Sequence, residues 1–155
     1  MRDESTTLDP SLAYAVRDGA ARATAAVGLA AVAVIHLLDI SGKFAETPYL
    51  AWMYVALIAG CVLTAGALLR SSDPRAWVAA IMLPLGAMVG YTLTRTVGLP
   101  QAMDDIGNWT EPLGMASLFV EGSLVGLGAM VLRDRARVVA GRSVRPQALS
   151  MAAQR

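Results

Sequence analysis

Four ionisable side chains fall inside or at the edge of long apolar runs: His36, Asp39, Arg95 and Glu121. A charge within hydrocarbon costs roughly 2.5–3.5 kcal/mol on insertion scales, so such a group faces protein or water and has a partner. Glu121 is the deepest. It lies nine residues into the last apolar run, about 13 Å along a helix rising 1.5 Å per residue. Its helical face reads Gly114, Ser117, Glu121, Val125, Gly128, which is small and polar enough to meet other helices. The carboxyl there could carry a proton or bind a cation. It could equally be a protonated side chain that hydrogen-bonds another helix and sets its register.

His36 and Asp39 are one turn apart, so the carboxylate could accept an imidazole N–H and orient the ring. That pairing suits a metal-ligating or proton-shuttling histidine, or a plain structural bond. His36 is the best metal candidate, yet it is the sole histidine, so a bis-histidine haem within one chain is excluded. A His–Met pair with Met53, Met88 or Met115 is the remaining haem arrangement. Arg95 ends its run on a face with Met88, Tyr91 and Thr92, and could pair with Asp39, Asp104 or Glu111 to hold the loop 97–111. A second set of polar groups, Glu46, Asp104, Asp105 and Glu111, belongs to the segments between runs. Most of this chemistry sits in Tyr91–Glu121, for which His36 is the expected partner from elsewhere in the chain.

The elements that must position these groups follow from composition. Only 16% of the 155 residues are charged, and 55% are hydrophobic; soluble domains carry about a quarter charged residues. Mean hydropathy is +0.52. The charge deficit is concentrated in four segments, about 20–40, 49–69, 76–96 and 112–132. Each is long enough to cross a ~30 Å hydrocarbon core. The expected class is all-α, a polytopic membrane protein with a four-transmembrane-helix bundle over 20–132. Before it comes an N-terminal segment, 1–19, with an interfacial helix near 10–19. After it comes a basic tail, 133–155. About twenty polar residues precede the first run without a small-residue cleavage site, so that run reads as an uncleaved span.

Asp9-Pro10 is a helix start, with Asp as cap and Pro in the first turn. Loops are expected at 41–48 and 97–111, and a tight turn at 70–75. Tyr49, Trp52, Tyr54, Trp77 and Trp109 are expected at the membrane–water boundary. Pro84 frees the Ala80 carbonyl in the third span. Gly141 and Pro146 are expected to break the helix that leaves the fourth span, with a disordered end beyond.

Basic residues set the orientation. Arg2, Arg17, Arg22, Arg70, Arg75 and the arginines from Arg133 onward share one side; Lys43 and Arg95 are on the other. The positive-inside rule then places both termini in the cytoplasm of a bacterial inner membrane. The tail would meet anionic lipid heads. A net charge of +1 argues against nucleic-acid binding, and the single Cys61 excludes an intrachain disulfide. Two G-x-x-x-G pairs, Gly86–Gly90 and Gly122–Gly126, let helices approach closely, either within the bundle or in a homo-oligomer or larger membrane complex. A short echo, T-P-Y-L-A-W-M at 47–53 against T-E-P-L-G-M at 110–115, hints at a two-plus-two repeat.

The motifs I-H-L-L-D at 35–39, T-R-T-V-G-L-P at 94–100, N-W-T-E-P-L-G at 108–114 and S-L-F-V-E-G at 117–122 resemble a group of small bacterial four-span membrane proteins. Members carry H-L-L-[DE] at the end of span 1, [ST]-R-T-x-G-L-P at the end of span 3 and E-P-L-G at the opening of span 4. The resemblance covers about 20–130 and implies the architecture and the choice of residues, but no reaction. No soluble-enzyme motif occurs: no phosphate loop, H-E-x-x-H, G-x-S-x-G or C-x-x-C. Three functions are open. The chain could be a non-enzymatic oligomeric or accessory subunit closed by its outer polar cluster. It could be a metal-, haem- or small-ligand-binding protein using His36, Asp39 and Glu121. It could be a proton- or ion-coupled transporter or channel using Glu121.

Overall fold

The computed structural model describes residues 9–152. The polar segment 1–8 and residues 153–155, at the end of the expected tail, lie outside the described residues. Four helices account for nearly all of the described chain: α1 Pro10–Glu46, α2 Pro48–Arg70, α3 Pro74–Thr96 and α4 Pro112–Ala152. All four are long and apolar enough to cross a membrane, and no strand element occurs among the described residues. The chain is an all-α four-helix bundle.

Every helix begins with proline, because its missing N–H is one the first turn leaves unbonded anyway. Asp9 accepts from the Ser11 N–H at 3.0 Å, and Asp73 accepts from the Arg75 N–H at 2.8 Å. These are the N-caps that stop α1 and α3 from fraying.

Three expectations change. The stretch 10–19 is not a separate helix but the start of α1, and 41–46 is helical too. A single residue, the buried Thr47, separates α1 from α2. At the other end α4 continues through Gly141 and Pro146 to Ala152. One proline costs a helix one hydrogen bond and bends it, which need not end it.

Around the bundle α1 touches α2 and α4, and α3 touches α2 and α4; α1 and α3 face across the diagonal. Leu29, Val32, Cys61, Leu68, Trp77, Ala80 and Leu124 form the dry core. Trp77 is therefore not a boundary anchor: it is 0% exposed, in the core. The Arg135 guanidinium lies 5.9 Å from its ring centroid. Arg135 also binds Asp18 at 2.8 Å and the Ser72 carbonyl at 2.7 Å, with a further contact to the Ser72 hydroxyl. It thus ties α1, the α2–α3 turn and α4 together at the end of the bundle that carries the termini. Within the tail, this arginine is a clamp, because α4 carries it back over the turn.

Of the two readings of the glycine pairs, packing within the bundle does not hold. A Cβ added at Gly86, Gly90, Gly122 or Gly126 would meet nothing within 4 Å, so neither pair is a packing seam of the bundle. Close approaches between helices occur instead at Gly28, where a Cβ would meet Leu124 at 2.7 Å, at Gly60, where it would meet Leu83 at 2.9 Å, and at Gly128, where it would meet Ile81 at 2.5 Å, with Gly114 tight against Tyr91. Gly128→Ala should therefore cost about 1 kcal/mol through overpacking, while Gly122→Ala should be neutral or slightly stabilising. Thermal unfolding in lipid discs, followed by the reactivity of the buried Cys61 thiol, checks both.

Candidate functional site

The other end of the bundle, where the loop 97–111 lies, is built differently. The loop leaves α3 at Gly98, whose φ of +75° favours glycine and whose N–H bonds the Leu93 carbonyl at 3.0 Å. A Cβ there would meet the Met103 sulfur at 2.6 Å. The loop returns so that the Gly107 N–H bonds the Arg95 carbonyl at 2.9 Å. Tyr91 holds the far side, donating its hydroxyl to the Trp109 carbonyl at 3.2 Å.

Beneath this loop lies a cavity of about 590 Å³. Its roof is charged. The Arg95 guanidinium is buried and pairs with Asp105 at 2.8 Å and Glu111 at 3.4 Å, with the Tyr91 ring centroid 4.7 Å away. Lys43 lies 3.6 Å from Glu46 and 3.8 Å from Asp105. Glu111 is one of the three carboxylates expected for Arg95. Asp105 takes the place expected of Asp104, which is exposed. Adjacent residues point in different directions in the 3-10 turn Met103–Asp105, so only one of the two aspartates can turn inward.

The floor is His36 with Glu121. The Glu121 side chain is almost wholly buried, and it accepts from the Ser117 hydroxyl at 2.6 Å. Ser117 stands on the face read from the sequence, one turn earlier. His36 Nδ1 donates to the Val32 carbonyl at 2.9 Å, since a carbonyl can only accept. Its Nε2 then faces Glu121 Oε1 at 4.0 Å. Asp39 does not hold His36. It accepts from the Tyr54 hydroxyl at 3.3 Å, and Tyr54 meets the imidazole edge-on at 4.7 Å between centroids. The reason is geometric: a histidine on an apolar helix satisfies Nδ1 most locally with the carbonyl one turn back. Arg95 and Glu121 form no pair, because the roof carboxylates take the guanidinium.

Tyr54 was expected among boundary aromatics and instead lines the cavity; Trp52 of that cluster is exposed and packs edge-on against Phe44 at 5.6 Å. Lys43 and Tyr54 are the site residues that sequence reasoning missed. A helical-period signal existed for both: Lys43 lies seven residues after His36 on α1, and Tyr54 follows Leu50 by one turn on the buried side of α2.

Comparisons with known protein families, with curated proteins and with solved structures find no match. Geometry alone thus decides what this site can do. Among the described residues no three His, Cys, Asp or Glu side chains gather to hold a metal ion. His36 commits Nδ1 to the Val32 carbonyl and keeps Nε2 toward Glu121, while Asp39 is turned to Tyr54. Of the methionines considered as haem partners, Met53 lines the cavity, while Met88 and Met115 do not.

The cavity's wall is apolar, with Leu57 and Leu83 among its lining, and it is open. Met53 and Ala56 on α2, and Met82 and Gly86 on α3, line it and are exposed at the level of the spans. The cavity is therefore open along a slot between α2 and α3, as well as beside the roof, where the exposed Gly42 and Glu46 line it. Below His36 and Glu121 the dry core resumes with Leu29, Val32 and Cys61.

Proposed function

We propose that this small membrane protein binds a lipophilic small molecule, which enters from the bilayer between α2 and α3 and is held beneath the loop 97–111. The carrying observation is the cavity: apolar walls, a few convergent polar groups and a volume of about 590 Å³, the features of small-molecule sites. The excess of basic residues around the termini and the 70–75 turn supports an orientation with both termini cytoplasmic. In a bacterial inner membrane the site would then lie in the outer leaflet half. The apolar core beneath Glu121, with Leu29, Val32, Cys61, Leu68 and Leu124, favours binding over conduction. The ion pairs of Arg95 and Lys43 serve as the lid's fastening, which unites this reading with a structural role for the polar cluster.

A neutral solvatochromic dye, titrated against the protein in lipid discs, tests the reading. Dye should bind saturably to wild type. Gly86→Leu and Gly90→Leu, which put a side chain into open space lining the cavity, should weaken binding about tenfold or more, by analogy with filling any small-molecule pocket. Equal binding by all three proteins would refute it.

A further inference from the structure

The charges within the cavity name the class of ligand, an inference that rests on the ligand-binding reading above. Five carboxylates line it (Asp39, Glu46, Asp105, Glu111 and Glu121) against two permanent cations, Lys43 and Arg95. Both cations are spent in the roof, on Glu46, Asp105 and Glu111. Asp39 and Glu121, nearer the floor, are left with hydroxyl donors only: Tyr54 at 3.3 Å and Ser117 at 2.6 Å.

The floor has a second, independent feature. Because Nδ1 of His36 is committed to the Val32 carbonyl, a neutral ring presents a bare Nε2 to Glu121. The two atoms are 4.0 Å apart, too far for a direct hydrogen bond. Two acceptors facing each other across such a gap are complementary to a shared donor. Tyr54 adjoins both groups, with its ring against His36 and its hydroxyl on Asp39, and its π-face is a further attraction for a cation. The mouth, in contrast, is apolar through Met53 and Met82.

From this juxtaposition we infer that the ligand is a lipophilic ammonium: an N–H-bearing cation that sits between His36, Asp39 and Glu121, with its hydrocarbon part leaving between α2 and α3. An anionic head would find the roof cations already neutralised and, below, two carboxylates held only by hydroxyl donors.

The experiment displaces the neutral dye from protein in zwitterionic lipid discs with dodecylamine, dodecanol or dodecyl sulfate. The amine should displace dye at a concentration about tenfold lower than the alcohol, the effect of one favourable charge contact, and the sulfate should be weakest. The readout is the amine-to-alcohol ratio, which cancels partitioning into the disc when compared between proteins. In the Asp39→Asn/Glu121→Gln double variant, whose side chains keep an acceptor for Tyr54 and Ser117, the ratio should fall to near unity. Equal displacement by amine and alcohol in wild type, or an unchanged ratio in the double variant, overturns the inference while dye binding preserves the cavity reading. Failure of the dye to bind wild type overturns both.

Discussion

Arg95→Leu should be the most damaging single substitution at the loop end, lowering stability by about 3 kcal/mol. The Arg95 side chain is only 6% exposed, and it alone reaches both Asp105 and Glu111. Its loss leaves Glu111 without its cation and Asp105 with only Lys43 at 3.8 Å, and removes the face-on contact with Tyr91. The lower end of the range for broken buried pairs applies, since Asp105 and Glu111 are partly exposed and water can take up some of their charge. Arg95→Lys should recover only part of the loss, because an ammonium cannot present a planar fork to two carboxylates. The loop should also become sensitive to protease in Arg95→Leu, while the end of the bundle held by Arg135 stays intact. Thermal unfolding in lipid discs together with limited proteolysis checks both statements. A protein that melts as wild type would show that the loop is held by its backbone bonds instead.

Glu121→Leu should cost about 2 kcal/mol, and Glu121→Gln less than about 1 kcal/mol. Glu121 is 1% exposed, and Ser117, also buried, gives it its hydroxyl hydrogen. Leucine fills a similar space but strands that hydroxyl and removes the group facing His36. Glutamine keeps a carbonyl oxygen in place. The contrast separates a hydrogen-bonding role from simple filling of space, and the reactivity of Cys61 during unfolding reports it without a ligand. Equal stability of the two variants would mean that Ser117 finds another acceptor.

Much of the fold was legible because hydropathy and length speak directly about membrane helices. Four apolar runs became four helices, and Asp9-Pro10 became the start of the first. The inward face of α4 was legible as well, since Ser117 and Glu121 are polar residues in a run that otherwise has no need of them. What could not be read was which way the remaining faces turn. In a membrane span, residues facing lipid are as apolar as those facing protein, so no stripe marks the seam. Gly122–Gly126 and Gly28 look alike in sequence; only Gly28 meets a neighbour closely. Trp77 carries the usual mark of a boundary residue, yet it is buried in the core cluster with Leu29, Leu68 and Ala80. His36 was expected to meet the Tyr91–Glu121 segment, but its particular partner there was hidden for a related reason. The local candidate, Asp39, is visible at three residues' distance, whereas Glu121 reaches His36 only once α1 and α4 pack. The cavity itself is a property of three-dimensional arrangement: it exists because α3 presents glycine at 86 and 90 opposite α2, a sequence that reads equally well as a packing motif.

The most direct test of the cavity is a side-by-side titration of neutral dye into wild type, Gly90→Leu and Gly122→Leu in lipid discs. The two variants add the same side chain to open positions, one lining the cavity and one on α4 outside it. Wild type and Gly122→Leu should saturate alike at about one dye per chain, with binding to Gly90→Leu weakened about tenfold or more. Identical binding by Gly90→Leu and Gly122→Leu would contradict the account.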